Sequence, residues 1–150
     1  MNALELLKSD HEKVSELFEE FKANEDGDNT RLFAQIKAEL DVHAHIEETI
    51  FYPRIKADGD DELQKIVNEG IEEHRQIKMF LTEIDELAGA SDKFNAKLKV
   101  LVEDTEHHVE EEEGEMFPLV EDQFDEETLE QIGGALEAEK MKFKSSSASA

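Results

Sequence analysis

At 150 residues the chain is long enough for one domain with its own core, and its lack of cysteine excludes disulfides, iron-sulfur clusters and thiolate metal sites. The formal net charge of -24, from 40 acidic and 16 basic residues, disfavours nucleic acids and anionic membranes as partners, because Lys and Arg hold such partners. No apolar run approaches the roughly 20 residues that cross a bilayer, and the first ten residues lack the pattern of a targeting segment, so we expect a cytoplasmic protein.

Apolar residues repeat at steps of three and four along most of the chain, which predicts helices. The first helix is predicted from about Ala3 to Ala23, and the polar segment 24–29 stops it. Thr30 is predicted to cap the second helix, which should end or kink at Pro53 because proline lacks the amide hydrogen that the helix needs.

The second half of the chain repeats this pattern of helices and turns. A third helix is predicted from about Asp61 to Ala88, followed by a break at residues 89–91, where Ser91 caps the next helix. The fourth helix runs to about Phe117, and a shorter fifth one is predicted over residues 126–143. Because short loops force neighbours to be antiparallel, we predict an all-α, up-down-up-down four-helix bundle, with the fifth helix across one end.

One segment of the chain occurs twice, as HAHIEETIFYP and as HVEEEEGEMFP. Each copy begins with a His, has a Glu four residues later and ends in an aromatic residue followed by Pro; the His and Glu are His43 with Glu47 and His108 with Glu112. On a helix, residues four apart project from one face. Each copy therefore offers an imidazole and a carboxylate to one point, which is a geometry typical of metal ligands.

Two further histidines, His11 and His74, lie on the apolar stripes of the first and third helices. The four histidines are separated by 32, 31 and 34 residues, and in an antiparallel bundle equal distances from a turn mean equal heights. Burying these groups uncompensated would cost several kcal/mol each. The sequence therefore predicts one metal-binding layer with six ligands, which are His11, His43, Glu47, His74, His108 and Glu112.

The ligand types indicate which metal this layer would hold. Six ligands exceed the need of one zinc ion and suit two ions that share carboxylates, with positions left for water, oxygen or peroxide. Imidazole and carboxylate without thiolate favour iron first and manganese second, and zinc is the poorer match.

Other residues near the repeated segments leave alternatives open. His107 competes with His108, because it lies four residues before Glu111. We expect His45 to face the solvent and the lone Tyr52 to pack at the end of the bundle. Three further acidic residues are interpreted as a solvated face, and they are Glu48, Glu111 and Glu113.

With these motifs, about residues 4–143 resemble the hemerythrin-like family, specifically its HHE cation-binding domains. The resemblance implies a non-haem di-iron centre with Glu47 and Glu112 as bridging carboxylates and the four histidines as terminal ligands. It also implies that the centre binds oxygen, peroxide or nitric oxide, and we expect an oxo or hydroxo group between the irons. We assign residues 1–144 to the hemerythrin-like domain and residues 145–150 to a disordered Ser/Ala tail.

The chain departs from the oxygen-carrying hemerythrins at Lys78, where those proteins have another His ligand. Fewer histidines leave more positions open on the metals, which favours redox turnover over reversible carriage. We therefore predict sensing, buffering or detoxification of oxygen, peroxide or nitric oxide. The alternatives are iron storage or sensing, reversible oxygen carriage, and enzymatic decomposition of peroxide; the sequence does not identify a redox partner.

Overall fold

The structure is a computed structural model that describes residues 1–87 and 91–149, and this part of the chain is helical, without strands. Within these described ranges, seven α-helices and two π-helical segments follow one another. They are α1 (Ala3–Lys22), α2 (Thr30–Ile46), π1 (Glu47–Phe51), α3 (Tyr52–Asp58), α4 (Asp61–Asp85), α5 (Asp92–Glu111), π2 (Glu112–Met116), α6 (Phe117–Gln123) and α7 (Glu126–Ser149). Among the described residues, no helix is both long and apolar enough to cross a membrane.

Four rods form the predicted up-down-up-down bundle: α1, the continuous α2–π1–α3, α4, and the continuous α5–π2–α6. Hydrogen bonds at the two ends fix this arrangement. At one end, the side-chain amide of the buried Asn29 donates to the Gly27 carbonyl and to the side chain of Asn95 at the start of α5. At the other end, the amide of Asp60 donates to Gln123 at the end of α6. The predicted all-α bundle is therefore confirmed.

The helix starts agree with the sequence in part. Ser91 caps α5 as predicted, because its hydroxyl accepts from the amide of Phe94. Thr30 is the first residue of α2 and not its cap, and its amide donates to Asp28. The predicted break at Gly89 and Ala90 lies outside the described residues.

The two prolines do not end their helices. In each repeated segment a π-helical turn begins at the Glu, so that the Tyr52 amide donates to the Glu47 carbonyl five residues back, and the next residue is Pro53. The second copy does the same from Glu112. A π turn widens the helix where the proline ring would clash with the carbonyl of an α-helical turn. The rod therefore continues through the proline, where we predicted an end or a kink.

The π turns also rotate the buried face of each rod. Phe51 and Tyr52 are fully buried after π1, whereas Ile50, which an unbroken α-helix would turn inward, is only half-buried. After π2, Phe117 is buried while Leu119 is half-buried. One extra residue per turn thus brings the aromatic residue of each repeated segment into the core.

Two apolar clusters fill the bundle, one towards each end. The first contains Leu4, Leu7, Ile46, Phe51, Tyr52, Val67 and Phe117, and the second contains Val14, Phe18, Phe33, Leu40, Ile77, Leu81 and Leu98, among other residues. The histidines lie between them: His11 falls between Leu7 and Val14, and His43 between Leu40 and Ile46. A polar layer therefore divides the core.

Helix α7 lies lengthwise against α1 and α2, and not across one end of the bundle as predicted. Its start contacts the start of α1, where the Asn2 side chain donates to Glu126. Further along, Lys140 forms an ion pair with Asp10 in α1. The helix extends past Phe143, the predicted end, to Ser149. The disorder that we expect for residues 145–150 stays a prediction.

The close approach of α7 to the N-terminus gives a matched pair of test substitutions. A Cβ atom at Gly133 would lie 2.4 Å from the Met1 carbonyl oxygen, whereas one at Gly134 would meet nothing within 4 Å. We expect Gly133→Ala to lower the free energy of unfolding by about 1–3 kcal/mol through the clash. Gly134→Ala should raise it by about 0.5–1 kcal/mol, because alanine favours helix. Urea unfolding measures both, and equal effects would contradict this packing.

Candidate metal centre

The six side chains singled out in the sequence lie together in the layer between the two apolar clusters. Each is at most 7% exposed. They form two overlapping groups of four, whose donor atoms lie within 4.8 Å of one another. The first position contains His11 and His43, the second contains His74 and His108, and both contain Glu47 and Glu112. The layer thus offers two adjacent cation positions that share two carboxylates.

Each inner carboxylate faces one imidazole from each helical hairpin. Glu47 Oε1 lies 3.2 Å from Nε2 of His43 on its own hairpin and 3.0 Å from Nε2 of His74 on the other. Glu112 in turn lies 3.3 Å from His108 Nε2 and 3.2 Å from His11 Nε2. All four rods therefore meet at these two carboxylates, and every imidazole turns its Nε2 inward.

Several of these inward atoms have no hydrogen-bond partner. They are His11 Nε2, His43 Nε2, Glu47 Oε1, Glu47 Oε2 and Glu112 Oε1, because the contacts near 3 Å lack hydrogen-bond geometry. A buried polar atom without a partner costs about 1–3 kcal/mol. Oxygen and imidazole donors that converge in this way are the ligands of divalent transition metals. The buried His/Glu cluster is therefore able to hold metal.

A second set of carboxylates binds the outer nitrogen of every imidazole. Each Nδ1–H donates to one of them: His11 to Glu113 (2.6 Å), His43 to Asp10 (3.1 Å), His74 to Glu48 (2.9 Å) and His108 to Glu73 (2.7 Å). A bond of this kind fixes the tautomer and leaves the Nε2 lone pair free for a cation. The rings are thus oriented before any ion binds.

These outer carboxylates were missed in the sequence, although they repeat along it. Glu48 and Glu113 directly follow the inner carboxylates, and each binds a histidine of the other hairpin, so our interpretation of both as solvated was wrong. Asp10 and Glu73 directly precede a histidine of the layer and bind the second histidine of their own hairpin. An acidic residue beside four of the six candidate ligands, which are His11, Glu47, His74 and Glu112, was the signal that could have identified them.

Two lysines compensate part of the outer charge. Lys140 of α7 pairs with Asp10, and Lys78 lies 2.5 Å from Glu48. Burial raises the pKa of Asp10, but its bonds to His43 and Lys140 outweigh that effect and lower the pKa to about 2. The hydrogen bond from His74, with a smaller contribution from Lys78, lowers the pKa of Glu48 to about 2. Both carboxylates therefore stay charged at neutral pH.

Without a metal, neighbouring carboxylates outweigh the effect of burial and raise the pKa of His43, His74 and His108. Burial lowers the pKa of His43, but the charge of Glu47 and the bond to Asp10 outweigh it and raise the pKa to about 10. The pKa of Glu112 falls well below its usual value; burial opposes the shift, and the close imidazoles of His108 and His11 cause it. Protons and a cation therefore compete for the same lone pairs.

The remaining histidines lie outside the layer. The side chain of His107 is 66% exposed and pairs with Glu111 on the surface, while the neighbouring His108 faces the centre. His45 is half-buried and not solvent-facing as expected, since it bonds Glu139 at 2.8 Å and stacks on Phe143 of α7. The layer thus contains His108 and neither of these two.

Tyr52 reaches the centre, where we predicted packing at the end of the bundle. Its hydroxyl donates to Glu112 Oε2 at 2.5 Å and lies 3.2 Å from His74 Nε2. The corresponding aromatic residue of the second segment is Phe117, which stacks on His11 with 6.1 Å between ring centroids. The extra residue of the π turn brings both rings inward, and this displacement is what the sequence pattern did not reveal.

An apolar cavity of about 30 Å³ touches all four imidazoles on the side away from Tyr52. The apolar residues around it include Val14, Leu40, Ile77 and Leu81 of the second cluster. Lys78 and Asp41 also line it. The cavity has room for a molecule of the size of water or dioxygen next to the donor atoms.

Comparison with known proteins identifies similar chains. Residues 2–120 match the family described as hemerythrin HHE cation binding domain. A crystal structure of an HHE cation binding domain-containing protein from Mycobacterium kansasii superimposes with a TM-score of 0.80 at 24% identity, covering 97% of this chain and 89% of that one. A protein of Nostoc sp. named DNA nickase is 27% identical over 146 residues, which are 96% of this chain but 40% of the Nostoc protein.

The pKa of His43 predicts how the metal-free protein responds to alkali. Because the folded pKa of about 10 exceeds the ordinary 6.5, the protonated ring stabilises the fold fully below pH 6.5, and this contribution is lost as the pH rises to about 10. The stability difference between the wild type and His43→Gln should therefore shrink over that range. Urea unfolding with a chelator present measures it, and a constant difference would contradict the assignment.

The hydrogen bonds of the outer carboxylates predict that replacing one of these carboxylates lowers the metal affinity, although all six inner side chains remain. Asp10→Asn should weaken the binding of ferrous ion by about 10- to 100-fold, because the His43 ring loses its charged partner. Glu12→Gln, an exposed substitution on the same helix, is the matched control and should leave the affinity unchanged. Competition with a chelator under anaerobic conditions measures both. Equal affinities for the two variants would show that Asp10 has no such role.

Proposed function

Because the chain belongs to the hemerythrin HHE cation-binding domain family, we propose that it is a non-haem di-iron protein that interacts with oxygen, peroxide or nitric oxide. The biological role would be the sensing, buffering or detoxification of such molecules. The observation that carries this proposal is the pair of four-donor groups that share Glu47 and Glu112. Two adjacent positions with common carboxylates suit two ions better than one.

The proposed roles follow from the direction in which each donor points. Glu47 and Glu112 would bridge the two ions, since each faces histidines of both positions. The four imidazoles would be terminal ligands through Nε2, with Nδ1 held by the outer carboxylates. The donor set, without any thiolate, favours iron, followed by manganese and then zinc. Bound iron would supply one-electron redox chemistry and open coordination positions.

The surroundings of the centre favour small, uncharged ligands. The cavity of about 30 Å³ beside the imidazoles has a mostly apolar surface, although polar side chains also line it. Such a cavity admits diatomic molecules or peroxide and excludes larger or charged ones. The phenylalanines and leucines of both clusters keep bulk water away from the layer. The chain would therefore select its ligand by size and polarity.

Lys78 is relevant to whether the centre would carry oxygen reversibly or react with it. It occupies the position of an additional histidine ligand in the oxygen carriers, and its ammonium group is paired with Glu48. Four histidines in place of five would leave an additional open position on the metals. The proposal therefore favours a redox reaction of the bound ligand over reversible carriage of oxygen. Iron storage or iron sensing is the alternative, because an ion at the junction of four rods would stabilise the whole bundle.

DNA cleavage, which the name of the Nostoc protein states, is not part of the proposal. This chain spans 40% of that protein. Its net charge of -24 disfavours a surface that holds phosphates, and the buried donors are out of reach of a duplex.

Metal analysis after expression with excess iron tests the proposal. We expect two irons per chain in the wild type and in His107→Ala, whose side chain is exposed, but fewer in His108→Ala, which removes an inner donor. The two histidines are neighbours on one helix, so they are matched controls for each other. Fewer than about one iron per chain in the wild type would exclude a dinuclear centre.

An optical spectrum of the same samples distinguishes the roles. Near-ultraviolet absorption of an oxo bridge that appears when oxygen is admitted to the reduced protein, and disappears when the oxygen is removed, would indicate carriage. Irreversible oxidation, with peroxide consumption that His108→Ala loses and His107→Ala retains, would indicate turnover. Iron uptake without any response to oxygen, peroxide or nitric oxide would favour storage or iron sensing.

A further inference from the structure

The two halves of the metal centre are related by an approximate two-fold repeat, and Tyr52 breaks it. The inner and outer carboxylates and the histidines all have counterparts in the other hairpin. Even the ring pairs match: His11 and His43 have centroids 4.9 Å apart at 65°, and His74 and His108 are 4.8 Å apart at 65°. At the aromatic position of each segment, however, one half has a phenol and the other has the phenyl ring of Phe117.

The phenol oxygen of Tyr52 lies among the donor atoms of the second position. It is 3.2 Å from His74 Nε2, 3.5 Å from His108 Nε2 and 2.5 Å from Glu112 Oε2. Two ligands about 2.1 Å from one octahedral ion lie about 3 Å apart at right angles. These three separations are close to that spacing, so one ion could contact the phenol oxygen together with the other donors.

Tyr52 is also held rigidly in this place. The ring is 1% exposed, belongs to the first apolar cluster and packs against His74 with centroids 5.2 Å apart. The Cβ position of Gly70 lies 3.2 Å from the phenol oxygen, so the absence of a side chain there makes room for it. Both the π turn and this glycine direct the hydroxyl to the centre and not to the solvent.

We propose that Tyr52 is a fifth protein ligand of the ion between His74 and His108, so that the two metal positions are chemically different. This inference rests on the proposed di-iron function and narrows it, because the phenol oxygen would occupy one position on the second ion and leave the additional open position to the first ion. The second position has two imidazoles, two shared carboxylates and a phenol oxygen. The first position has Phe117 in the corresponding place and no such donor. A hard anionic oxygen stabilises ferric over ferrous iron, so the second position would be oxidised first.

The chain contains a single tyrosine, which makes the test direct. Any tyrosinate ring vibration enhanced in the resonance Raman spectrum of the ferric protein must come from Tyr52. We expect such vibrations, with a visible charge-transfer band, in the wild type. Tyr52→Phe should lose both and keep the oxo-bridge absorption; the matching place in the other half already has Phe117, so the substitution should be tolerated.

A measurement without iron separates this inference from the di-iron proposal. Metal-free protein is loaded with gallium(III), a redox-inert substitute for ferric ion, and the ultraviolet difference spectrum of tyrosinate formation is recorded. A tyrosinate signal with gallium supports ligation even if the iron count contradicts the di-iron function. Loaded wild-type protein that lacks the tyrosinate signal with both ferric ion and gallium would overturn the inference, whatever its metal content.

Discussion

The convergence of two buried carboxylates at the middle of the core is the constraint on which the rest of the structure depends. Glu47 and Glu112 are completely or almost completely buried, and bringing two such charges together requires positive charge around them. Four imidazoles surround them, one from each rod, and each imidazole needs its own outer carboxylate. The polar layer is therefore three shells deep, and it fixes the relative height of all four rods.

The π turns connect this polar layer to the apolar cores. They begin at the two inner carboxylates, so the same turn that carries a central carboxylate also shifts the following residues by one position. That shift directs one aromatic ring in each half, Tyr52 or Phe117, towards the polar layer. Because π turns are uncommon and often occur at functional sites, their presence at both carboxylates and nowhere else in the described chain links the backbone geometry to the centre.

Helical periodicity was sufficient to predict the bundle, and the spacing of the histidines was sufficient to predict which six side chains meet. His11 and His74 were identified because their stripes are clearly apolar.

Glu48 and Glu113 were misjudged because periodicity describes where a Cβ points and not where a long side chain bends back. Tyr52 was missed because Pro53 predicts an end or a kink of the helix, whereas the π turn adds a residue and the helix continues. The docking of α7 also escaped prediction, because its apolar stripe of Leu129, Ile132 and Leu136 indicates that one face is buried but not which helices cover it.

The ion pair between Lys140 and Asp10 has a consequence for the order in which the protein is assembled. Asp10 is buried against His43 and precedes Lys140 by 130 residues, so Lys140 is synthesised only after all four rods have been made. Until then a nascent bundle contains a carboxylate that lacks its ammonium partner, at one edge of the polar layer. The bundle can collapse around its apolar clusters before this point, but the carboxylate that orients His43 gains its ammonium partner only when α7 docks. The surroundings of His43 are therefore the last part of the polar layer to be completed, although α7 itself contributes no side chain to the two groups of donors.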